Sequence, residues 1–146
     1  MPSGWRTTSS GLAISLSGLE EVAKELLEHS EKRRIWLFSG EMGSGKTTLI
    51  KVIARLLGVR ETMSSPTFPI VNEYETQQGR IYHVDLYRLM NEQEVTDIGM
   101  AEYFNSGNYC LLEWPEKLGS LTPSHSMEVR ITPIDRLHRK IEYQRA

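Results

Sequence analysis

The chain has 146 residues, of which 39% are hydrophobic and 25% are charged, and its formal net charge is −2. This length fits one domain over residues 1–146, and this composition can form a hydrophobic core, so a globally disordered chain is not expected. The slight acidic balance argues against non-specific nucleic-acid binding through a broad basic surface, although the chain could still bind a protein that holds nucleic acid.

The single cysteine, Cys110, excludes an internal disulfide and indicates a reduced, intracellular protein. Cys110 lies in the apolar stretch 109–112, so we expect a buried small side chain, with a reactive thiol as the alternative. No apolar run approaches the roughly 18 residues of a membrane span, and the N-terminus has no signal-peptide core. These features predict a cytoplasmic protein without a membrane partner.

The start of the chain predicts a tail and then a helix. Residues 1–10 are small and polar, which is typical of a flexible tail. Ser17 and Glu20 have the spacing of a capping box, and the apolar residues that follow recur with a helical period. This pattern predicts an amphipathic helix over residues 18–29, with Ser17 as its cap.

The next predicted elements are a short buried strand over 33–39 and an amphipathic helix over 46–57, which Gly58 is placed to end. The second half of the chain alternates between β-rich and helical patterns. Its predicted elements are strands at 67–75 and 80–87 joined by a turn at 77–79, an acidic helix at about 91–105, a buried strand at 108–113, and strands at 126–133 and 137–144. Together these elements predict an α/β fold with three layers and a mixed central sheet.

A glycine-rich stretch separates the strand at 33–39 from the helix that follows. Residues 40–47 match the pattern G-x-x-x-x-G-K-[ST], which predicts a P-loop in a P-loop NTPase-like domain. The glycines let backbone N–H groups surround a phosphate chain at the positive end of a helix. A glycine-rich turn with a solvated lysine is the alternative, but the apolar strand before the pattern and the helix after it favour phosphate binding. The predicted phosphate-binding residues are Gly40, Glu41, Met42, Gly43, Ser44, Gly45, Lys46, Thr47 and Thr48.

Two acidic residues are candidates to complete a magnesium site with the hydroxyl of Thr47. Asp85 and Glu113 each follow an apolar strand, and carboxylates at the ends of parallel strands lie where α/β proteins bind ligands. Each could instead be a surface acid, and the sequence leaves open which of the two is nearer Mg²⁺. His83 shares a strand face with Asp85 and is expected to have a supporting or packing role.

Two further residues have a structural and a functional interpretation. Thr67 lies in the stretch 64–68, which is either a plain turn or a switch loop that senses the γ-phosphate or Mg²⁺. Trp114 follows Glu113 and is either a core residue or an exposed aromatic side chain near the site.

Four motifs in this order resemble the TsaE (YjeE) family, the bacterial ATPase of tRNA threonylcarbamoyladenosine synthesis. They are GEMGSGKTT at 40–48, SPTF at 65–68, HVDLYRL at 83–89 and EWPE at 113–116. The order and spacing of these motifs match the family over about residues 15–142, and the last two are far more specific than the P-loop. The family commonly has Leu-Gly-Ala where this chain has Met42-Gly43-Ser44, a change that leaves the phosphate cradle intact.

The resemblance implies ATP or ADP and Mg²⁺ as ligands of the P-loop. It implies that Thr47 and Glu113 position Mg²⁺, that Asp85 does so too or orients the attacking water, and that Lys46 neutralises charge on the γ-phosphate. It also implies that Thr67 belongs to a switch loop, that Trp114 lies near the nucleotide or a partner surface, and that Arg136 corresponds to a late arginine near the nucleotide.

The resemblance further implies association with the TsaB–TsaD heterodimer, in which TsaD transfers a threonylcarbamoyl group to adenosine 37 of tRNA. The ATPase would then contact tRNA only indirectly and support multiple turnovers. We expect weak hydrolysis by the isolated chain, because Arg88 and Arg136 are the nearest candidates for an arginine finger and neither is a clear one. A small P-loop metabolite kinase and a nucleotide-gated switch are alternatives, although lid arginines and an N-K-x-D motif are absent.

Overall fold

The computed structural model describes residues 4–8, 16–63 and 70–146. Within these ranges the strands are β1 (Arg6–Thr7), β2 (Ile35–Ser39), β3 (Val71–Thr76), β4 (Gly79–Asp85), β5 (Tyr109–Glu113), β6 (Met127–Pro133) and β7 (Arg139–Arg145). The helices are α1 (Leu16–His29), α2 (Lys46–Leu56), α3 (Glu92–Asp97) and α4 (Met100–Asn105), with a 3₁₀ segment at Pro115–Leu121. In these described ranges no helix is both long and apolar enough to cross a membrane.

The strands form a mixed sheet with the order β1-β7-β6-β2-β5-β4-β3. The four central strands, β4, β5, β2 and β6, run parallel, and the outer pairs are antiparallel. Parallel strands present their carboxyl ends at one edge of a sheet, so Asp85 and Glu113 end up side by side there in register. The predicted three-layer α/β fold with a mixed sheet is confirmed.

Each face of the sheet packs against its own helical layer. On β2, Trp36 and Phe38 lie in a core with α1 and α2, whereas Leu37 lies in a second core with α3, α4 and the 3₁₀ segment. All three side chains are buried, which is typical of a central parallel strand covered on both faces.

The predicted helices are present, with two corrections. Helix α1 spans Leu16–His29, so the backbone of Ser17 is already helical and Ser17 is not the cap. The predicted helix at 91–105 is divided into α3 and α4, because Gly99 has a left-handed backbone with φ of 78°.

The predicted tail at residues 1–10 is wrong for the part that the structure describes. Residues 6–7 form β1, which pairs antiparallel with β7, and the N–H of Thr8 donates to the carbonyl of Ile141 at 2.9 Å. The Trp5 ring lies 4.1 Å from the guanidinium carbon of Arg130. The segment is ordered because it supplies hydrogen bonds to a strand whose outer edge would otherwise be open.

The predicted hairpins are confirmed, with shifted ends. Strands β3 and β4 are joined by a two-residue turn at 77–78, and β6 and β7 pair around the turn at 134–138. Strand β4 stops at Asp85, two residues earlier than predicted, since the Asp85 carboxylate accepts the N–H of Tyr87 at 3.0 Å and turns the chain. The described part of the first hairpin strand begins at Val71, so the start predicted at residue 67 lies outside the described residues.

Candidate functional site

The loop between β2 and α2 has the backbone geometry that the glycines were expected to allow. Gly43 and Gly45 have φ of 80° and 105°, which L side chains rarely adopt. A Cβ on Gly40 would lie 2.7 Å from the carbonyl oxygen of Ile131 and from Oγ of Ser44, so only glycine fits the close approach to β6. Helix α2 therefore starts directly from a tight loop that follows the carboxyl end of β2.

An open cleft of about 330 Å³ lies between this loop and the ends of β4 and β5. It brings together ten of the residues that the sequence singled out, with Tyr87 in addition. Its lining residues are Met42, Gly43, Ser44, Gly45, Lys46, Thr47, Thr48, Asp85, Tyr87, Glu113 and Trp114. Gly40 and Glu41 support the same loop through backbone contacts, and Thr67 lies outside the described residues.

Lys46 is buried and turned back onto its own loop. Its Nζ donates to the carbonyl of Gly40, lies 3.5 Å from the carbonyl of Glu41, and sits 3.7 Å from the centre of the Trp114 ring. Burial lowers the pKa of the Lys46 ammonium, and the nearby charge of Glu113 opposes this shift. The ammonium is therefore held by neutral carbonyls and an aromatic face, contacts that a phosphate group could replace.

Glu113 is the carboxylate that contacts the P-loop helix. Both of its oxygens lie 2.9 Å from Oγ1 of Thr47, and one of them lies 2.8 Å from Nε2 of His83. The Glu113 residue is only 3% exposed and His83 is fully buried. The structure thus distinguishes the two acidic candidates, since Glu113 bonds directly to Thr47, and it confirms a supporting position for His83.

Asp85 has a different environment from Glu113. It is half-buried on the wall of the cleft, and one oxygen accepts the N–H of Tyr87. Burial raises the pKa of the Asp85 carboxyl, although the Tyr87 hydrogen bond opposes that shift. The two carboxylates therefore differ in position: Glu113 contacts Thr47, whereas Asp85 lies on the wall of the open cleft.

Trp114 combines both of its sequence interpretations, because it packs against the second core and also forms a wall of the cleft. Its backbone is left-handed, with φ of 63° and ψ of 54°, and its ring lies 5.0 Å from that of Tyr87. A non-glycine residue in this conformation costs of order 1–3 kcal/mol, and such strain is concentrated at functional sites. The sequence could have indicated Tyr87 as a site residue, since it lies two positions after Asp85 in the HVDLYRL motif.

The structure places Arg139, and not Arg136, against the P-loop. Arg136 is exposed in the turn between β6 and β7, whereas Nε of Arg139 donates to the carbonyl of Ser44 at 3.1 Å. Arg139 also lines an adjoining cavity of about 250 Å³ with Gly45. Only the hairpin register, which sets Arg139 opposite Pro133 at the carboxyl end of β6, distinguishes the two arginines.

The side chains of this site fit magnesium and a polyphosphate. Thr47, Asp85 and Glu113 offer hard oxygen donors, and Lys46 adds a positive charge. No group of three or more His, Cys, Asp or Glu residues in the described parts of the chain is placed to hold a metal alone. Mg²⁺ typically uses one or two carboxylates and completes its shell with water and substrate phosphates.

Comparisons with known proteins agree with the motifs and the fold. A family model described as "Threonylcarbamoyl adenosine biosynthesis protein TsaE" matches residues 14–141. The tRNA threonylcarbamoyladenosine biosynthesis protein TsaE of Haemophilus influenzae is 37% identical over 107 residues, which cover 73% of this chain and 68% of that protein. The protein of the same name from Bacillus subtilis is 32% identical over 127 residues, or 87% of this chain and 75% of that protein.

A solved structure shows the same fold. The crystal structure of YdiB from Bacillus subtilis superposes with a TM-score of 0.70 and 24% identity, covering 97% of this chain and 84% of that one. The resemblance that the four motifs indicated is confirmed by the family model, which spans most of the chain. This chain belongs to the TsaE family of threonylcarbamoyl adenosine biosynthesis proteins.

Proposed function

We propose that this chain binds and hydrolyses ATP with the help of Mg²⁺ and supports threonylcarbamoyladenosine formation in tRNA by associating with the TsaB–TsaD heterodimer. The observation that carries the proposal is the contact between Thr47 and Glu113 at the start of the P-loop helix, 2.9 Å from hydroxyl to carboxylate. A structural glycine-rich turn has no need for a buried acid at this position. Association with the heterodimer and the tRNA pathway rest on family membership.

Each element of the loop has a task in binding the triphosphate. The N–H groups at the start of α2 bind the phosphates in this proposal, and the positive end of the helix attracts them. Lys46 leaves the carbonyl of Gly40 and the Trp114 ring and pairs with the terminal phosphates. Thr47 and Glu113 would hold Mg²⁺, which would supply positive charge to the phosphate oxygens when bound.

In this proposal Asp85 orients the attacking water. Its carboxylate lines the open part of the cleft, whereas that of Glu113 is engaged with Thr47 and His83. Water attacks the γ-phosphorus, the bond to the bridging oxygen breaks, and ADP and inorganic phosphate leave. Positioning and electrostatic stabilisation account for most of the rate of such a reaction, so a misplaced carboxylate should slow turnover more than binding.

Slow turnover by the isolated chain is expected, because no arginine of the described residues lines the cleft. Arg88 and Arg136 are exposed, and Arg139 is engaged with the carbonyl of Ser44 in the adjoining cavity. A partner that supplies or moves an arginine would raise turnover, as arginine fingers do in other P-loop proteins. In this role the chain would act in the cytoplasm.

The proposal is tested by nucleotide titration and by turnover with and without TsaB–TsaD. We expect Mg²⁺-dependent binding of ATP and ADP, slow release of phosphate by the chain alone, and faster release with the heterodimer. Lys46→Ala should abolish binding, whereas Asp85→Asn should bind nucleotide and lose about 10²–10³-fold in turnover, the usual effect of removing one transition-state contact.

Three outcomes would contradict the proposal. They are a lack of affinity for every nucleoside triphosphate, fast turnover without partners, and transfer of phosphate to a metabolite rather than to water. A matched control is His138→Gln, since His138 pairs with Asp135 in the exposed β6–β7 turn and does not line the cleft. This variant should bind and hydrolyse ATP as the unmodified protein does.

A further inference from the structure

Among the described residues, one side chain attaches the Glu113 carboxylate to the sheet. His83 lies on β4, which pairs in parallel with β5, and its Nε2 reaches Glu113 at 2.8 Å. The other contact of this carboxylate, to Thr47, belongs to the P-loop helix. The imidazole is thus the described partner that fixes Glu113 from the side of the sheet, independently of the loop.

The hydrogen-bond roles in this contact follow from the chemistry of the two groups. An ionised carboxylate only accepts, so Nε2 of His83 donates to Glu113. Glutamate has freely rotating side-chain bonds, and a fixed donor removes much of that freedom. The donated bond therefore selects the side-chain orientation in which both oxygens of Glu113 lie 2.9 Å from the Thr47 hydroxyl.

Packing alone does not account for a histidine at this position. His83 is fully buried, and its Nδ1 has no hydrogen-bond partner in the described parts of the chain. A buried polar atom without a partner typically costs about 1–3 kcal/mol. Its neighbours on this face are the apolar core residues Ile81 on its own strand and Leu111 opposite on β5, and the polar Asn72 opposite on β3. Within the described parts of the chain, the bond toward Glu113 is the hydrogen bond that the imidazole makes, so a donor to this carboxylate is what the histidine adds.

We propose that His83 is a positioning residue that holds the Glu113 carboxylate against Thr47 and thereby sets the contribution of Mg²⁺ to nucleotide binding. This inference rests on the proposed function, because it assigns Thr47 and Glu113 to Mg²⁺. His83 does not line the cleft, and its hydrogen bond to Glu113 is the contact through which we expect it to act. Binding that depends on the P-loop and Lys46 alone, without Mg²⁺, should not depend on His83.

Two substitutions separate the donor from the volume of the ring. His83→Met keeps a side chain of similar size without a donor. His83→Gln places an amide N–H the same number of bonds from Cα as Nε2, so it can still donate to Glu113. A third variant, His83→Asn, carries its amide nitrogen at the position of Nδ1 and does not reach the carboxylate; it replaces His83→Met if the methionine variant does not fold.

The measurement is the dissociation constant of a non-hydrolysable ATP analogue in Mg²⁺ and in EDTA, with thermal unfolding as the check of folding. We expect His83→Met to reduce the gain in affinity from Mg²⁺ by about 10–100-fold, the usual effect of losing a partner of a metal ligand. Affinity in EDTA should stay unchanged, and His83→Gln should recover most of the loss. The same substitutions at His138, which contacts Asp135 at 2.8 Å outside the cleft, should change neither constant.

A double-mutant cycle with Glu113→Gln tests whether His83 acts through Glu113. In the Glu113→Gln background the gain from Mg²⁺ is already lost, so adding His83→Met should cause no further loss. Four results would overturn the positioning role and leave the proposed function standing. Two concern His83→Met: an equal loss of nucleotide affinity in Mg²⁺ and in EDTA, or an undiminished gain in affinity from Mg²⁺. The other two are a folded His83→Gln protein that recovers no affinity, and additive losses of affinity in the double-mutant cycle. Absence of nucleotide binding by the unmodified protein would remove the proposed function as well.

Discussion

At the scale of residues, the side chains at the mouth of the P-loop are each held by a neighbour outside the loop. The Lys46 ammonium contacts the Trp114 ring. The Thr47 hydroxyl bonds to the Glu113 carboxylate, and that carboxylate bonds to His83. Groups that are fixed before the substrate arrives need little reorganisation during the reaction, which is the main source of electrostatic catalysis. The strained backbone of Trp114 belongs to the same arrangement, because it carries the ring under Lys46.

Replacing Asp85 by asparagine should stabilise the fold while it slows turnover. Ionised Asp85 is partly desolvated, which raises its pKa and disfavours the folded state above the pKa of the unfolded chain. Asparagine carries no charge, and its side-chain oxygen can still accept the N–H of Tyr87. Urea unfolding should therefore show a more stable Asp85→Asn protein at pH 7.

The gain in unfolding free energy should depend on pH with a defined sign. It should shrink as pH falls from the raised pKa of folded Asp85 toward the ordinary pKa of the unfolded residue, because Asp85 is then protonated in both states. Ser120→Ala, which removes a hydrogen bond to Glu92 far from the cleft, is a control for which no such gain is expected. A less stable Asp85→Asn protein at pH 7 would show that the charge of Asp85 is well compensated.

The thiol of Cys110 should not react in the folded protein. It is fully buried, and burial raises the pKa of the thiol to about 12, so almost no thiolate forms at pH 8. A thiol reagent should modify Cys110 only as fast as the protein unfolds, and at full rate in denaturant. Rapid labelling under native conditions would show that the sheet opens locally at β5.

Much of this site could be predicted from the sequence, because its parts are local. The spacing of Gly40, Gly45 and Lys46 indicates a P-loop, and apolar strands that end in an acid identify Asp85 and Glu113. The choice between the two acids depends on strand order, since β5 lies beside β2 and β4 lies one strand farther out. A local pattern carries no information on such neighbours, and the contact of Arg139 with the loop was missed for the same reason.

At the scale of elements, long periodic segments were predicted well and short ones were not. Helix α2 was predicted to within one residue, because its apolar stripe is regular and Gly58 ends it with φ of 114°. Strand β1 has two residues, too few to show a period, and its order comes from a partner more than 130 residues away. The break at Gly99 was missed because one glycine within a helical pattern does not show whether its φ is positive.

Removal of residues 1–8 should destabilise the protein, although these residues read as a flexible tail. It would remove β1 from the edge of β7, the Thr8 hydrogen bond to Ile141 and the contact of Trp5 with Arg130. Two or three lost hydrogen bonds of this kind cost about 1–3 kcal/mol. Chemical unfolding of the two proteins measures the difference, and equal stabilities would show that the β1 pairing contributes nothing in solution.

At the scale of the whole molecule, the P-loop connects parts of the chain that are far apart in sequence. Gly40 packs on the carbonyl of Ile131 in β6, Ser44 accepts from Arg139 in β7, and Thr47 bonds to Glu113 in β5. A ligand that orders this loop therefore reinforces contacts with three strands and with both cores beneath them. The stability of the whole sheet should respond to events in the cleft.

Nucleotide should accordingly raise the unfolding temperature of the protein as a whole. A ligand that binds only the folded state stabilises it by RT ln(1 + [L]/Kd), about 2.7 kcal/mol at a hundredfold excess over Kd. Because the chain is expected to unfold in one cooperative step, circular dichroism and tryptophan fluorescence should shift together. The rise in unfolding temperature with ADP should be larger in Mg²⁺ than in EDTA. It should vanish in Lys46→Ala, because this variant lacks the ammonium group that lies buried in the loop. A shift that survives in Lys46→Ala would place the bound nucleotide outside the P-loop.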